Sequence, residues 1–211
     1  MFLSLFQEEK TYASEYTSVI SNLPAKRGLL ILDWDYTLFP TAYLGQPTTP
    51  IQKHVYTSLI NVFFLWLHAH HNVIILTNGQ IGWVTMSAAA FVSQEFAQWI
   101  ESNTTIISAR DSEESTLALQ TMPPRSSMNL QCQWKCGALK KIVNAMRENA
   151  LPDYIICAGD MFSDWMAFRY LKQMTRGIPC FFRKFPGPSI DLDIYLKVLK
   201  RFIFQLIFLF S

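Results

Sequence analysis

Along this chain, short unbroken apolar runs alternate with longer stretches in which apolar residues recur every three or four positions. A strand buried on both faces reads as an unbroken run, whereas recurrence at three and four is the period of a helix. The runs Gly28–Asp33, Asn72–Thr77, Thr104–Ala109, Asp153–Asp160 and Cys180–Phe185 are therefore predicted as strands. Helices are predicted from about Ile51 to His70, Gly82 to Ile100, Gly137 to Met146 and Ser163 to Lys172. Leu139, Ile142, Val143 and Met146 share one face of the third of these. A last helix starts at Ser189, with Asp191 and Asp193 in its first turn. Strand signals alternating with helix signals predict an α/β fold, a Rossmann-like parallel sheet of about five strands with helices on both faces. The expected organisation is a single domain, with residues 28–185 as its core and 186–211 as a terminal apolar helix.

Two segments lack either period. Phe39 to Pro50 is rich in turn residues, and Arg110 to Gln131 is polar and carries the pair Pro123–Pro124. Both are expected as loops, too short for a full cap domain.

Composition narrows the picture. At 211 residues, half of them apolar, the chain can build one sizeable core. A formal charge of +2, with Lys and Arg scattered along the sequence, gives no reason to expect nucleic acid as a partner. Cys132 and Cys136 lie one helical turn apart, but a structural zinc site takes ligands in two tight pairs, and Cys157 and Cys180 stand alone in apolar runs. Reduced thiols in a cytoplasmic protein are the expectation. His68, His70 and His71 fall where a helix should end, a place the helix dipole favours for histidine. The opening MFLSLFQEEK is too short for the apolar region of a secretory signal. The run from Phe202 to Phe210 is too short to span a membrane, which takes about 20 apolar residues. It is expected to dock on the core, with a membrane interface or a partner as the alternatives.

Candidate chemistry lies at the strand ends. Ligands of such sheets bind beyond the carboxyl ends of the strands, and three predicted strands run into Asp33, Thr77 and Asp160. A carboxylate at the end of a buried strand is costly unless something pairs with it.

Four sequence features occur in order: DWDYT at Asp33–Thr37, LTNG around Thr77, a lysine ahead of the fourth strand, and GDMFSD at Gly159–Asp164. Together they resemble the motifs of the haloacid dehalogenase-like superfamily, whose members are mostly Mg2+-dependent phosphohydrolases. The resemblance spans about Gly28 to Phe185 and implies a minimal-cap phosphatase. It implies Asp33 as nucleophile, forming an aspartyl-phosphate, and Asp35 as the acid and base that serves leaving group and water. If the chain stays extended, Asp35 points to the same side as Asp33. Mg2+ would be held by Asp33, Asp160 and the backbone carbonyl of Asp35, with Asp164 binding it through water or orienting a ligand. Thr77 and the N–H of Asn78 would hold phosphate oxygens, while Thr37 steadies the turn. For the lysine, Lys135 at the expected start of its helix is favoured over Lys140.

Trp34 and Met161–Phe162 are bulkier than usual for such motifs, and either pack behind the site or narrow it. The short loops imply an open site, leaning to phosphoproteins or other large phosphorylated substrates. The rival reading is a catalytically weak module of the same fold that binds a phosphorylated partner or a membrane surface. A receiver-like domain is a third, but its acid pair lies side by side, not spaced as D-x-D.

Overall fold

In the computed structural model, described over residues 28–43, 49–110, 127–148, 151–188 and 191–210, five strands form one all-parallel sheet. They are β1 (Gly28–Leu32), β2 (His71–Thr77), β3 (Thr105–Ser108), β4 (Tyr154–Gly159) and β5 (Cys180–Lys184), in the order β3-β2-β1-β4-β5. Each predicted strand is present, with its ends within a residue of expectation. The helices are α1 (Pro50–His70), α2 (Trp83–Phe91), α3 (Gln94–Asn103), α4 (Ser127–Glu148), α5 (Phe162–Met174) and α6 (Leu192–Phe210).

Because successive strand residues point to opposite faces, β1 feeds two cores. Leu30 and Leu32 pack with side chains of α1, α2, α3 and α6. Leu29 and Ile31 pack with Ala138, Leu139, Ile142 and Val143 of α4 and with Ala167, Phe168 and Leu171 of α5. The expectation of a Rossmann-like α/β fold with helices on both faces holds. The chain leaves β1 for β2 on one side and returns from β3 to β4 on the other. The strand order therefore reverses between β1 and β4, and that reversal opens a crevice at their carboxyl ends.

Two helices depart from expectation. The helix predicted over 82–100 is two, because Val92 leaves helical geometry and Ser93, in extended backbone, accepts the N–H of Phe96 as the cap of α3. The helix predicted from Gly137 starts at Ser127 instead. Residues 127–131, expected as loop, are helical, and Lys135 lies inside α4. The first turns of α4 alternate polar and apolar residues, so no helical period marked them. Residues 44–48 and the rest of the second loop, 111–126, lie outside the described residues, as does Ser189. Asp191 accepts the N–H of Asp193 at the start of α6.

The terminal apolar run docks on the core as expected: Leu192, Tyr195, Leu196, Leu199, Phe202, Ile203 and Leu206 are all buried there. Among the described residues, no helix is long and apolar enough to cross a membrane.

Candidate functional site

Where β1 stops, the backbone N–H of Asp33 still bonds the Ala158 carbonyl at 2.9 Å, so Asp33 leaves the sheet directly beside β4. Asp160 follows the last residue of β4, and the two acids flank the crevice. Past Asp35 the chain turns hard. Tyr36 adopts φ 57°, and the Trp34 carbonyl accepts N–H bonds from Thr37, Leu38 and Phe39 at 3.3, 3.0 and 2.8 Å. Side chains from distant elements brace this turn. Trp34 is fully buried, stacks on Phe39 with centroids 5.2 Å apart, and donates its indole N–H to Ser87 at 2.9 Å. Tyr56 of α1 donates to the Leu38 carbonyl at 2.9 Å, and Tyr195 of α6 to the Thr37 carbonyl at 3.1 Å. Trp34 therefore packs behind the site, while Phe162 is exposed at its edge.

Lys135 reaches the acids from the interior of α4. Its Nζ donates to Asp33 Oδ1 at 2.6 Å and also to Asp164 Oδ1. The lysine at the acids is thus Lys135; Lys140 faces solvent. Thr37 Oγ1 donates to the other oxygen of Asp33 at 3.1 Å, so both oxygens of that carboxylate are held. Asp164 Oδ2 accepts the N–H of Met161 at 2.9 Å and caps the first turn of α5. Gly159 makes room for this, since a Cβ there would lie 2.4 Å from Asp164 Cβ. Asp164 is therefore paired directly with the lysine, a contact that the expected roles, binding the ion through water or orienting a ligand, did not include.

Asp33, Asp160 and Asp164, all buried, offer carboxylate oxygens within 4.8 Å of one another. Lys135 is the cation paired with them, and it touches two of the three. Burial pushes the Asp33 carboxyl well above its ordinary value; Lys135 opposes that rise and Asp164 adds to it. Burial and the neighbouring Asp164 likewise push Asp160 up to about 6. For Lys135, burial favours the neutral amine, but Asp33 and Asp164 outweigh it and hold the ammonium charged. Three clustered carboxylates against one ammonium leave the cluster short of positive charge.

Asp35 is placed differently. Asp35 precedes the left-handed turn at Tyr36, so that turn does not separate it from Asp33, and its charge adds to the rise at Asp160. The Asp35 carboxylate accepts from Thr41 Oγ1 at 2.6 Å, from Trp83 Nε1 at 2.9 and 3.2 Å, and from Thr77 Oγ1 at 3.3 Å. Thr77 Oγ1 in turn accepts the N–H of Gly79 at 2.9 Å. Thr77 and Asp35 are thereby brought together on the β2 side of the crevice, with Asp33, Asp160, Asp164 and Lys135 on the β4 side. Asn78 follows Thr77; its Oδ1 is buried with no hydrogen-bond partner among the described residues, and so is Ser163 Oγ in the first turn of α5.

Sequence reasoning missed Thr41, Trp83, Tyr195 and Gly187, whose Cβ position would lie 3.5 Å from Asp160 Oδ2. Only Thr41 is near the acids in the chain; the others reach the site through the fold. The four cysteines are free thiols, and burial pushes Cys136 up to about 11 and Cys157 higher still, so neither supplies a thiolate at neutral pH.

The chemistry of the cluster suits a divalent cation. Its donors are all carboxylate oxygens, they converge, and their charge is under-compensated, which suits a hard cation such as Mg2+ and not a soft metal. The residues fit. Compared with protein-family models and with curated proteins, the chain matches none.

Proposed function

We propose that this protein is a Mg2+-dependent phosphomonoester hydrolase working through an aspartyl-phosphate on Asp33, like the haloacid dehalogenase-like enzymes its motifs resemble. The observation that carries the reading is the meeting of Asp33, Asp160, Asp164 and Lys135 in one buried cluster at the crevice between β1 and β4. Burial raises two of these carboxyls, and each also feels the charges of Lys135 and Asp164 across the crevice. Perturbed carboxyls in a crevice are the mark of a working site.

Asp33 and Asp160, with the backbone carbonyl of Asp35, would hold the cation, and Asp164 would orient Lys135 beside it. The cation supplies positive charge that lets an anionic nucleophile approach an anionic phosphoryl group. Lys135 and Thr37 fix the plane of the Asp33 carboxylate. One Asp33 oxygen forms a bond to phosphorus as the ester P–O bond breaks, and the departing alkoxide takes a proton from Asp35. Water then attacks the phosphorus of the aspartyl-phosphate and gives its proton to Asp35. The bond to Asp33 breaks, and inorganic phosphate leaves. Trp83 and Thr41 orient the Asp35 carboxylate for both proton transfers. Thr77 and the backbone N–H of Asn78 would hold the phosphoryl oxygens.

Short segments at 39–50 and 110–131 support an open site, and hence phosphoproteins or other large phosphorylated substrates. Free thiols fit a reducing compartment, the cytoplasm. Turnover of p-nitrophenyl phosphate tests the reading: it is expected with Mg2+, lost with chelator, and abolished in Asp33→Asn. No turnover by the folded wild type across phosphosugars, nucleotides and phosphopeptides would leave the non-catalytic binding module in its place.

A further inference from the structure

The outward face of α6 is not a usual solvent face. Ile194, Lys197, Arg201, Phe204 and Phe208 follow one another at spacings of three and four, so they form a single stripe along the helix. This stripe lies opposite the side that Leu196, Leu199, Ile203 and Leu206 bury in the core. Ile194 is 50% exposed, Phe204 48% and Phe208 82%. Lys200 flanks the stripe with its ammonium 5.9 Å from the centre of the Phe204 ring. From Ile194 to Phe208 the helix carries no acidic residue. Exposed aromatic rings interleaved with cations match the two layers of an anionic bilayer surface, with phosphates outside and the acyl boundary beneath.

We propose that this face of α6 docks the protein on an anionic membrane surface. Lys197, Lys200 and Arg201 meet lipid phosphates, while Phe204 and Phe208 enter the headgroup–acyl boundary. A second copy of the chain is a poor occupant, because a two-fold contact centred on the stripe sets Arg201 against its own copy and offers Lys197 and Lys200 no acidic residue opposite them on the facing helix. Docking leaves the crevice free. Tyr195, in the first turn of α6, lies at the turn after Asp33, and Phe208 is thirteen residues further along, about 20 Å at the helical rise.

Co-sedimentation of the full chain with phosphatidylcholine vesicles, with and without phosphatidylserine, tests the proposal. Binding is expected only with phosphatidylserine and is expected to weaken in high salt. Reversing Lys197, Lys200 and Arg201 to Glu should lower it roughly tenfold or more. Phe204→Ser with Phe208→Ser should lower it roughly tenfold at unchanged charge. The same charge reversal at Lys140, Lys141 and Lys172, exposed on the helices across the sheet, should cost far less. Thermal melts verify folding, and if the charge-reversed protein fails to fold, the phenylalanine pair decides alone. The proposal is overturned by no binding to anionic vesicles, by binding that the α6 variants leave intact, or by an equal loss from the opposite-face control. It also falls if α6 mediates a protein dimer without vesicle binding.

Discussion

Lys135 shows most directly how one residue holds the site together. It is buried between Asp33 and Asp164, and it is their ion-pair partner. Replacing it with Met keeps the volume but strands two buried carboxylates, a class of change that costs about 3–5 kcal/mol. Urea denaturation of Lys135→Met in chelator should show that loss, larger at pH 8 than at pH 5, because protonating the acids relieves it. Equal stability of variant and wild type would mean that the pair contributes nothing to the fold. At this scale the sequence was informative about identity and less so about geometry. Asp33, Thr77 and Asp160 were legible because each stands at the end of an apolar run, and Lys135 through the motif resemblance and an expected helix start, although it lies inside α4. The partners of Asp35 were not: Trp83 lies 48 positions away, and only the packing of α2 against the turn at Tyr36 brings its indole there.

At the scale of elements, the site depends on how closely α5 follows β4. Gly159 permits that closeness, since any side chain there meets Asp164. Gly159→Ala should retain the fold, lose about 1–3 kcal/mol of stability from the forced shift, and lose most of its phosphatase turnover as Asp164 moves from Lys135. Paired urea melts and p-nitrophenyl phosphate assays would measure both, and a variant with wild-type turnover would disprove the dependence. The central strands β1 and β4 were easy to read because burial on both faces leaves an uninterrupted apolar run, whereas the edge strands β3 and β5 are partly exposed and carry Thr, Ser, Arg and Lys. The helix boundaries were harder. Apolar spacing runs on across Val92 and Ser93, so the period masked a break whose one local sign was a capping serine with Glu95 behind it. In α4 the reverse held: its first turns lack an apolar stripe, and helical backbone there leaves no mark in the pattern.

For the whole molecule, two buried groups pull stability in opposite directions with pH. Asp160 holds its proton more tightly when folded, up to about 6 from an ordinary 3.8, so its contribution to stability falls as pH rises through that window. His71, buried at the start of β2 beside Tyr154, is lowered to about 4 from 6.5, chiefly by burial. It binds protons better unfolded, so its contribution rises over nearly the same range. Asp160→Asn removes the falling limb. In chelator its melting temperature should gain on the wild type as pH rises from about 4 to about 6.5, and Mg2+ should erase the gain by stabilising only the wild type. A pH-independent difference would mean that Asp160 titrates normally in the fold.

The hydroxyl of Tyr195 on the Thr37 carbonyl carries one more consequence. A nascent polypeptide already holds every carboxylate of the crevice once Asp164 has left the ribosome, but the loop that aims the first of them, held by then through Ser87 and Tyr56, still lacks the Tyr195 brace. That brace comes only with the final helix. Competence at the proposed site should therefore await α6, and a chain that stops short of Tyr195, though already layered, should show less of it.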